Sequence, residues 1–557
     1  MEVFTFEPEV VVAFDFGTTY SGYAFAFKHD PTKVVINPTW ASSSVRLYKA
    51  PTCVLLTPDK NFHSFGFEAE NKYAILVEEK ASRGWLFFRN FKMLLHNKEM
   101  LSRETIVKDI NDNEMPAMDI FSMSIGYLRN MFLKAVESKS RDFRENRTLY
   151  VLTVPAMWAE KAKQFMREAA IKAGIDTMRL KLALEPEVAV LCCQKDECLI
   201  NPEMQFMVID LGGGTADIGC YSKNTDGSLK QTFLATGGPW GGICVDENFL
   251  KTLKLLFGEK VLKDCSEKNP DEYFDLLRGF ETNKRSIGSE LNDDTDCKAF
   301  TIPYSIRNNM SEISQTPEER FIDRYPGKKI VMIKDKLKLD TSVVRTWFDG
   351  PIDRLIEEIK YILGQQEVEI ALLVGGFGEC IYLQEKLKKE MDHKSKKLIV
   401  PNEVGLAVLK GAVIYGFNPN AVSVRVMKYS YGIETVRDFD KKKDEENDVV
   451  VLNRKKKVDH IFIPFVLAGE TVTVGQKVKM TFTPTGETES LLKIYRSENP
   501  NVKLTTDCER IGTLRVLLSA GHKKFKVKMV FGQTELIVKA KVKKSENELH
   551  AVFDCFM

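Results

Sequence analysis

The chain has 557 residues, enough for more than two domain-sized units, and its 44% hydrophobic content allows sizeable cores. Its 80 basic and 78 acidic side chains nearly balance, which gives no reason to expect nucleic acid or an acidic membrane as the main partner. The 11 cysteines lack paired spacing, and no apolar run is long enough to cross a bilayer. With no signal-peptide pattern at the N-terminus, the sequence predicts a soluble protein in a reducing compartment.

The first organised stretch is a predicted β-hairpin near the N-terminus. Apolar residues at 10–14 and 20–27 have strand character, and Asp15-Phe16-Gly17-Thr18-Thr19 interrupts them with turn chemistry. The glycine lets the backbone approach a ligand, the threonines add hydroxyl donors, and the aspartate places a carboxylate at the loop. This combination suits a phosphate chain and its Mg²⁺.

Alternating elements follow in the next part of the chain. Strands are predicted over 50–56 and 148–155, and helices over 119–139 and 160–173. Glu185 precedes a proline, which favours an extended conformation and places it at a strand-to-helix junction.

A second copy of the hairpin lies at 204–221. It contains a strand, then Asp210-Leu211-Gly212-Gly213-Gly214-Thr215-Ala216-Asp217, then another strand. Two such hairpins, about a domain's length apart, indicate a duplicated fold whose two loops face one ligand.

The later elements combine glycines with charged helices. A glycine-dense segment at 235–242 indicates a backbone that approaches phosphates closely, the alternative being a flexible loop. The segment 280–288 is predicted to be helical, and 369–378 is a buried strand that runs into glycines. Helices are expected from Cys380 to Met391, with Ile381, Leu383 and Leu387 facing inward, and from Pro401 to about Gly416.

From about residue 419 strand alternation replaces helical periodicity. Lysine runs at Lys441–Lys443 and Lys455–Lys457 are interpreted as solvated loops, with nuclear localisation as an alternative.

Together these motifs resemble the actin-like ATPase superfamily in its heat-shock 70 kDa form. Ser21-Gly22-Tyr23-Ala24-Phe25 and Gly238-Pro239-Trp240-Gly241-Gly242 resemble the atypical member-12 branch of that family. The resemblance implies two duplicated α/β lobes around a nucleotide cleft, followed by a mainly β substrate-binding-like domain without a helical lid. The expected limits are 1–418 for the nucleotide-binding domain, with lobes at about 8–200 and 201–418, and 419–557 for a β-sandwich peptide- or partner-binding domain.

The resemblance also implies ATP or ADP with Mg²⁺ as cofactors. Asp15, Asp210 and Asp217 would hold Mg²⁺, mainly through its water ligands. Glu185 would orient the attacking water, the alternative being a surface or N-cap carboxylate. Lys92 is the candidate for contact with the terminal phosphate, the alternative being a solvated surface lysine. The phosphates would be held by residues of the two loops and of the glycine-dense segment: Gly17, Thr18, Thr19, Tyr20, Gly212, Gly213, Gly214, Thr215, Gly241 and Gly242.

The nucleoside would contact the charged helix and the glycine strand. In the family, positions matching Glu281, Lys284 and Arg285 grip the adenosine, although a surface salt-bridge cluster is the alternative. Gly375, Gly376 and Phe377 correspond to the second adenosine motif. Departures from the family pattern at Phe377 and Gly288 predict an altered base pocket.

Three functions are compatible with these motifs. The first is a slow Mg²⁺-dependent ATPase with chaperone-like or partner-binding activity, which would bind a protein or peptide at the β-domain. The second is a nucleotide-gated adaptor with negligible hydrolysis, and the third is a sugar kinase. A cytoplasmic monomer or weak oligomer is expected, without nucleic acid or membrane insertion.

Overall fold

A computed structural model describes residues 7–38, 40, 47–96, 101–194, 200–288, 297–309, 315–440, 449–452, 455–484, 488–518, 524–542 and 551–556. It contains two α/β lobes with an actin-like ATPase fold and a β-rich C-terminal region. The prediction for Lys441–Lys443 lies outside the described residues. In the described ranges, no helix combines the length and the apolar character that crossing a membrane needs.

The elements of the first lobe, in chain order, are β1 Val10–Phe16, β2 Tyr20–Phe27, β3 Asp30–Ile36, β4 Ala50–Pro51, β5 Cys53–Leu56, β6 Phe62–Phe65, α1 Phe67–Glu78, β7 Leu86–Arg89, β8 Ile106–Lys108, β9 Glu114–Pro116, α2 Ala117–Glu137, β10 Thr148–Val154, α3 Glu160–Lys172, β11 Leu180–Leu184 and α4 Glu185–Cys193. Its central sheet is mixed and has the strand order β11-β10-β1-β2-β3, and β4 pairs with β2.

The elements of the second lobe are β12 Gln205–Leu211, β13 Ala216–Lys223, β14 Leu229–Gly238, α5 Ile243–Phe257, α6 Glu259–Lys268, α7 Pro270–Ser286, β15 Cys297–Thr301, α8 Tyr304–Asn308, α9 Pro317–Arg324, β16 Ile330–Ile333, β17 Lys336–Asp340, α10 Thr341–Leu363, β18 Ile370–Val374, α11 Ile381–His393 and β19 Lys397–Ile399. Its sheet repeats the plan with the order β19-β18-β12-β13-β14. The chain then returns to the first lobe, where α12 Ala407–Phe417 packs on α4, β1 and β10.

Matching strand pairs show that the same strand arrangement occurs in both lobes. In each lobe an antiparallel hairpin, β1–β2 or β12–β13, is followed by two parallel neighbours. These central strands are buried on both faces, as their nearly continuous apolar sequences require. The hairpin prediction is therefore confirmed in both copies.

The C-terminal region packs two antiparallel sheets around an apolar core. The strands of this part of the chain are β20 Val422–Val426, β21 Ser430–Asp438, β22 Val449–Leu452, β23 Lys455–Val466, β24 Thr471–Thr473, β25 Gln476–Phe482, β26 Glu489–Ser497, β27 Glu509–Leu517, β28 Phe525–Phe531, β29 Ile537–Val542 and β30 Ala551–Asp554. One sheet has the order β22-β23-β21-β26-β27-β30 and the other β25-β28-β29, whereas β20 and β24 belong to the sheet of the second lobe.

Strand β20 joins the nucleotide lobes to this region. It extends the sheet of the second lobe by pairing parallel to β14. On its other edge it pairs antiparallel with β24. The join is therefore a sheet strand rather than an unpaired connector.

Three local predictions are wrong. Leu383 and Leu387 of α11 are buried as predicted, but Ile381 is 42% exposed and its neighbour Tyr382 is buried instead. Helix α12 begins at Ala407 and not at Pro401, because Glu403 adopts a left-handed conformation and a 3-10 turn follows. Lys455–Lys457 opens strand β23 rather than forming a loop.

Candidate functional site

A cleft of about 550 Å³ lies between the two lobes. Its volume is within the range of small-molecule sites, roughly 300–1,000 Å³. The predicted residues that line it come from both lobes: Asp15, Gly17, Thr18, Thr19, Tyr20, Lys92, Glu185, Asp210, Gly212, Gly213, Gly214, Thr215, Gly242, Glu281, Lys284, Arg285, Gly375, Gly376 and Phe377. The structure thus brings nearly all predicted site residues to one cavity.

The two hairpins place their aspartates in equivalent positions. Asp15 is the next-to-last residue of β1 and pairs with Gly22, whereas Asp210 is the next-to-last residue of β12 and pairs with Asp217. Because strand geometry fixes the direction of these side chains, both carboxylates reach the same cavity from opposite lobes.

The two hairpin loops approach each other closely. A side chain at Gly213 would overlap the hydroxyl of Thr19, and one at Gly214 would lie 2.8 Å from the hydroxyl of Thr18. The threonine hydroxyls of one loop therefore face the bare backbone of the other. This is a donor-rich arrangement suited to a phosphate chain.

The glycine-dense segment supports the second loop. Backbone N–H groups of Gly241, Gly242 and Ile243 donate to the carbonyls of the 212–214 loop, at 3.3, 3.1 and 2.8 Å respectively. Gly241 packs against the backbone of Gly213 and Gly214 and does not line the cavity, so the expected close approach to a ligand applies only to Gly242.

Lys92 and Glu185 form an ion pair at the floor of the cleft, with Nζ 3.2 Å from Oε1. Lys92 is 4% exposed and its ammonium lies 5.0 Å from the ring centre of Trp158, so the alternative of a solvated surface lysine is wrong. Burial raises the pKa of Glu185 to about 7; Lys92 opposes this shift, and Asp15 and Asp217 add to it. Such a carboxyl group can exchange a proton near neutral pH.

Glu185 shares this floor with two more carboxyl groups. Burial raises the pKa of Asp210, and repulsion from Glu185, Asp217 and Asp15 raises it further. Burial also raises the pKa of Asp217 to about 6, although its Oδ1 accepts a hydrogen bond from the backbone N–H of Met157 at 3.2 Å. Crowded carboxylates of this kind attract a cation.

The donor set fits a hydrated magnesium ion. Within the ranges described, no three His, Cys, Asp or Glu side chains are close enough together to ligate one metal ion directly. Mg²⁺ retains several water ligands in proteins, and these waters could span the distances to Asp15, Asp210 and Asp217. Asp217 does not line the cavity itself, so it would act from behind Thr215, whose hydroxyl donates to it at 3.1 Å.

Sequence reasoning missed Lys49. Its ammonium donates to Oδ2 of Asp15 at 2.6 Å and to the carbonyl of Gly405 at 2.8 Å. The pairing of β2 with β4, with Ser21 opposite Ala50, brings Lys49 beside the first loop. The only sequence signal was a lysine directly before the predicted 50–56 strand, which carries no information about this tertiary pairing.

The charged helix α7 presents a compensated network to the cleft. Glu281 pairs with Lys284 at 2.6 Å and with Arg285 at 3.0 Å. Lys284 also pairs with Asp246 at 2.7 Å, and Arg285 with Glu379 at 2.5 Å. Three of these residues share one helix face as predicted, and the two outer carboxylates were not assigned a role from sequence.

The glycine strand meets the second hairpin. Gly375 has φ of +87°, and a side chain there would overlap Oδ1 of Asp210 and the carbonyl of Leu211. Gly376 faces open space, and Phe377 is buried with its ring near Gly242. The bare backbone at 375 is therefore required by packing against the hairpin, and Gly376 and Phe377 are left to line the cavity.

Comparison with known proteins gives concordant results. The family described as Hsp70 protein matches residues 11–324, more than half of the chain. The chain is 30% identical to heat shock 70 kDa protein 12A of Mus musculus, over 95% of this chain and 88% of the relative. It is 29% identical to heat shock 70 kDa protein 12B of Homo sapiens, over 95% and 89%. The chaperone protein DnaK of Mycoplasma mobile is 25% identical over 77% of this chain and 62% of the relative.

Proposed function

The chain belongs to the Hsp70 family and is an Hsp70-like nucleotide-binding protein, and from this premise we propose that it is a slow Mg²⁺-dependent ATPase. The observation that carries the proposal is the buried Lys92–Glu185 pair, which lies in one cavity with both hairpin loops. We propose further that the β-rich region binds a protein or peptide partner.

The residues of the cleft would have different roles, according to their positions. The 17–19 and 212–215 loops would hold the phosphate chain by backbone N–H and hydroxyl groups. Bound Mg²⁺ would neutralise the charge that develops on the phosphates. Lys92 would contact the terminal phosphate. Glu185, once ionised, would orient a water molecule and accept its proton.

The nucleoside would lie toward α7. Glu281 and Arg285 would face the ribose and base, since an arginine plane can stack on a purine and a carboxylate can accept from ribose hydroxyls. Because Lys284 and Arg285 are already paired with carboxylates, their contribution would be positional rather than a free positive charge.

A single-turnover experiment tests this proposal. The protein, in excess over labelled ATP with Mg²⁺, is followed for bound ATP and ADP over hours, beside Asp210→Asn and Glu185→Gln. Glu318→Gln, on helix α9 away from the cavity, serves as the matched control. We expect conversion by the unmutated chain and the control, and none by the two cleft variants. Equal conversion by Glu185→Gln would remove that residue from the mechanism.

A nucleotide-gated adaptor is the second candidate. It is favoured by direct contacts between the β-rich region and the first lobe, because they would connect a partner-binding region to the nucleotide cleft. Arg496 of β26 pairs with Glu160 of α3, and Asp554 of β30 accepts from Arg103 at 2.9 Å. These contacts hold the β-rich region against the first lobe. Persistence of bound ATP without ADP formation, together with binding of one folded partner that unfolded peptides do not displace, would support the adaptor. The relatives named above are heat shock 70 kDa proteins and a chaperone protein, and they give no support to the sugar-kinase alternative.

A further inference from the structure

Lys49 connects the two lobes across the cleft. It precedes β4 in the first lobe, and its ammonium contacts Asp15 in the same lobe. It also donates to the carbonyl of Gly405, in the turn between β19 and α12. This turn is held to the second lobe, where the backbone N–H of Gly375 donates to the carbonyl of Val404 at 3.2 Å. A change in the distance between the lobes would therefore stretch one of these three bonds.

The ammonium of Lys49 lies beside a carboxylate that would otherwise face a bound metal cation. Its distance of 2.6 Å to Oδ2 of Asp15 is that of a strong charge-assisted hydrogen bond. Asp15 is one of the carboxylates that would hold hydrated Mg²⁺. The other lysine at the cleft floor, Lys92, pairs with Glu185 instead. Lys49 and Lys92 therefore each pair with a different carboxylate of the cluster.

The ammonium of Lys49 also retains bonding capacity. A lysine ammonium has three N–H donors, and Asp15 and Gly405 use two of them. Lys49 lines the same cavity as Thr18 and Thr19, and its side chain is 20% exposed. The third donor is therefore available to a phosphate oxygen without loss of the contact to Asp15.

Resting on the proposed function, we propose that Lys49 is a resident cation of the site. It holds the lobes together when the cleft lacks nucleotide. When nucleotide binds, it neutralises the phosphate chain in place of part of the divalent ion's charge. This chain should consequently bind ATP with little dependence on Mg²⁺, although hydrolysis would still need the metal.

The test measures ATP affinity by calorimetry in Mg²⁺ and in excess chelator. The variants are Lys49→Met, which keeps the length and removes the charge, and Lys49→Arg, which keeps the charge. Lys410→Met is the matched control, because Lys410 pairs with Glu403 beside the same turn and does not line the cavity.

We expect the unmutated chain and the control to lose less than about tenfold in affinity without Mg²⁺, and Lys49→Met to lose about a hundredfold or more. Lys49→Arg should restore most of the difference. An equal loss in the unmutated chain and in Lys49→Met would overturn the proposal. Failure of the unmutated chain to bind ATP even with Mg²⁺ would instead remove the proposed function, and this inference with it.

Hydrogen exchange gives a readout that is independent of ATP. In the nucleotide-free protein, Lys49→Met should exchange faster than the unmutated chain at the backbone N–H groups of residues 404–406, while the core strand β10 keeps its protection. Unchanged exchange at 404–406 would show that Lys49 does not hold the lobes together. Loss of protection at β10 would identify misfolding, and Lys49→Arg then decides the question by whether its charge restores the metal-independent affinity.

Discussion

Arg425 and Glu187 form a buried ion pair that joins the strand entering the β-rich region to the helix that begins with Glu185. Nε of Arg425 donates to Oε1 of Glu187 at 2.7 Å, and the two side chains are 8% and 2% exposed. A second guanidinium nitrogen donates to the carbonyl of Gly532 at 2.7 Å. One arginine therefore contacts both the nucleotide lobe and the β-rich region.

Arg425→Met should destabilise the protein strongly, by about 3–5 kcal/mol, because Glu187 would be left buried without a partner. Urea unfolding followed by circular dichroism measures the change. Adding Glu187→Leu should recover much of the loss, since no uncompensated charge then remains. Arg515→Met, which breaks the exposed Arg515–Glu489 pair, should cost less than about 1 kcal/mol. A small effect for Arg425→Met would mean that water reaches Glu187.

Without nucleotide, the acidic cluster should make the protein lose stability as pH rises from about 4 to 7. Folding raises the pKa of Glu185 to about 7 and that of Asp217 to about 6, and it also raises the pKa of Asp210. The folded state therefore binds more protons than the unfolded state in this window, so its stability falls with increasing pH.

Asp210→Asn tests this dependence, because it removes one buried charge. The Tm of the variant minus the Tm of the unmutated chain should be larger at pH 7.5 than at pH 5. Asp226 provides the control, since hydrogen bonds from Ser228 lower the pKa of its exposed carboxyl group. This group is ionised in both the folded and the unfolded state at pH 5 and at pH 7.5, so the Tm difference for Asp226→Asn should not change between the two pH values. A Tm difference for Asp210→Asn that does not change with pH would contradict the burial of its charge.

Gly375→Ala and Gly376→Ala should differ although the residues are neighbours. The methyl group at 375 would overlap Asp210 and Leu211 on a left-handed backbone, whereas the one at 376 meets open space. We expect Gly375→Ala to cost at least about 1 kcal/mol and to weaken nucleotide binding through displacement of Asp210. Gly376→Ala should keep its Tm. Thermal unfolding and ATP titration of both variants check this, and equal Tm values would contradict the close contact at 375.

The rate of ATP conversion should rise between pH 6 and pH 8, because Glu185 must be ionised to accept a proton and burial holds its pKa at about 7. Single-turnover rates at saturating ATP measure this rise with pH. Glu185→Gln should lose most of the rate, and the remaining rate should no longer rise between pH 6 and pH 8. A rise that persists in Glu185→Gln would show that another group titrates.

Much of the fold was predictable because its signals are local. The two hairpins have their strands, aspartates and glycine turns within a few residues, and the repeat itself indicated two lobes. Contacts made by distant parts of the chain were not predictable. Lys49 depends on the pairing of β2 with β4, and Asp246 and Glu379 join the network of α7 from other elements. Ile381 was placed on the wrong face because α11 buries Tyr382 against α10, where its hydroxyl donates to Asp349.

Strand β20 has a consequence for any attempt to separate the two halves of the molecule. Because it pairs with β14 on one edge and β24 on the other, a cut at residue 418 leaves β14 as a bare edge in the N-terminal fragment. Unpaired edges of this kind recruit other strands, so the fragment 1–418 should self-associate. A fragment that ends after Val426 keeps β20 on that edge, but it also keeps Arg425, so the C-terminal fragment loses the contact of Arg425 with Gly532 and leaves β24 unpaired. Neither cut leaves both fragments without an unpaired strand edge.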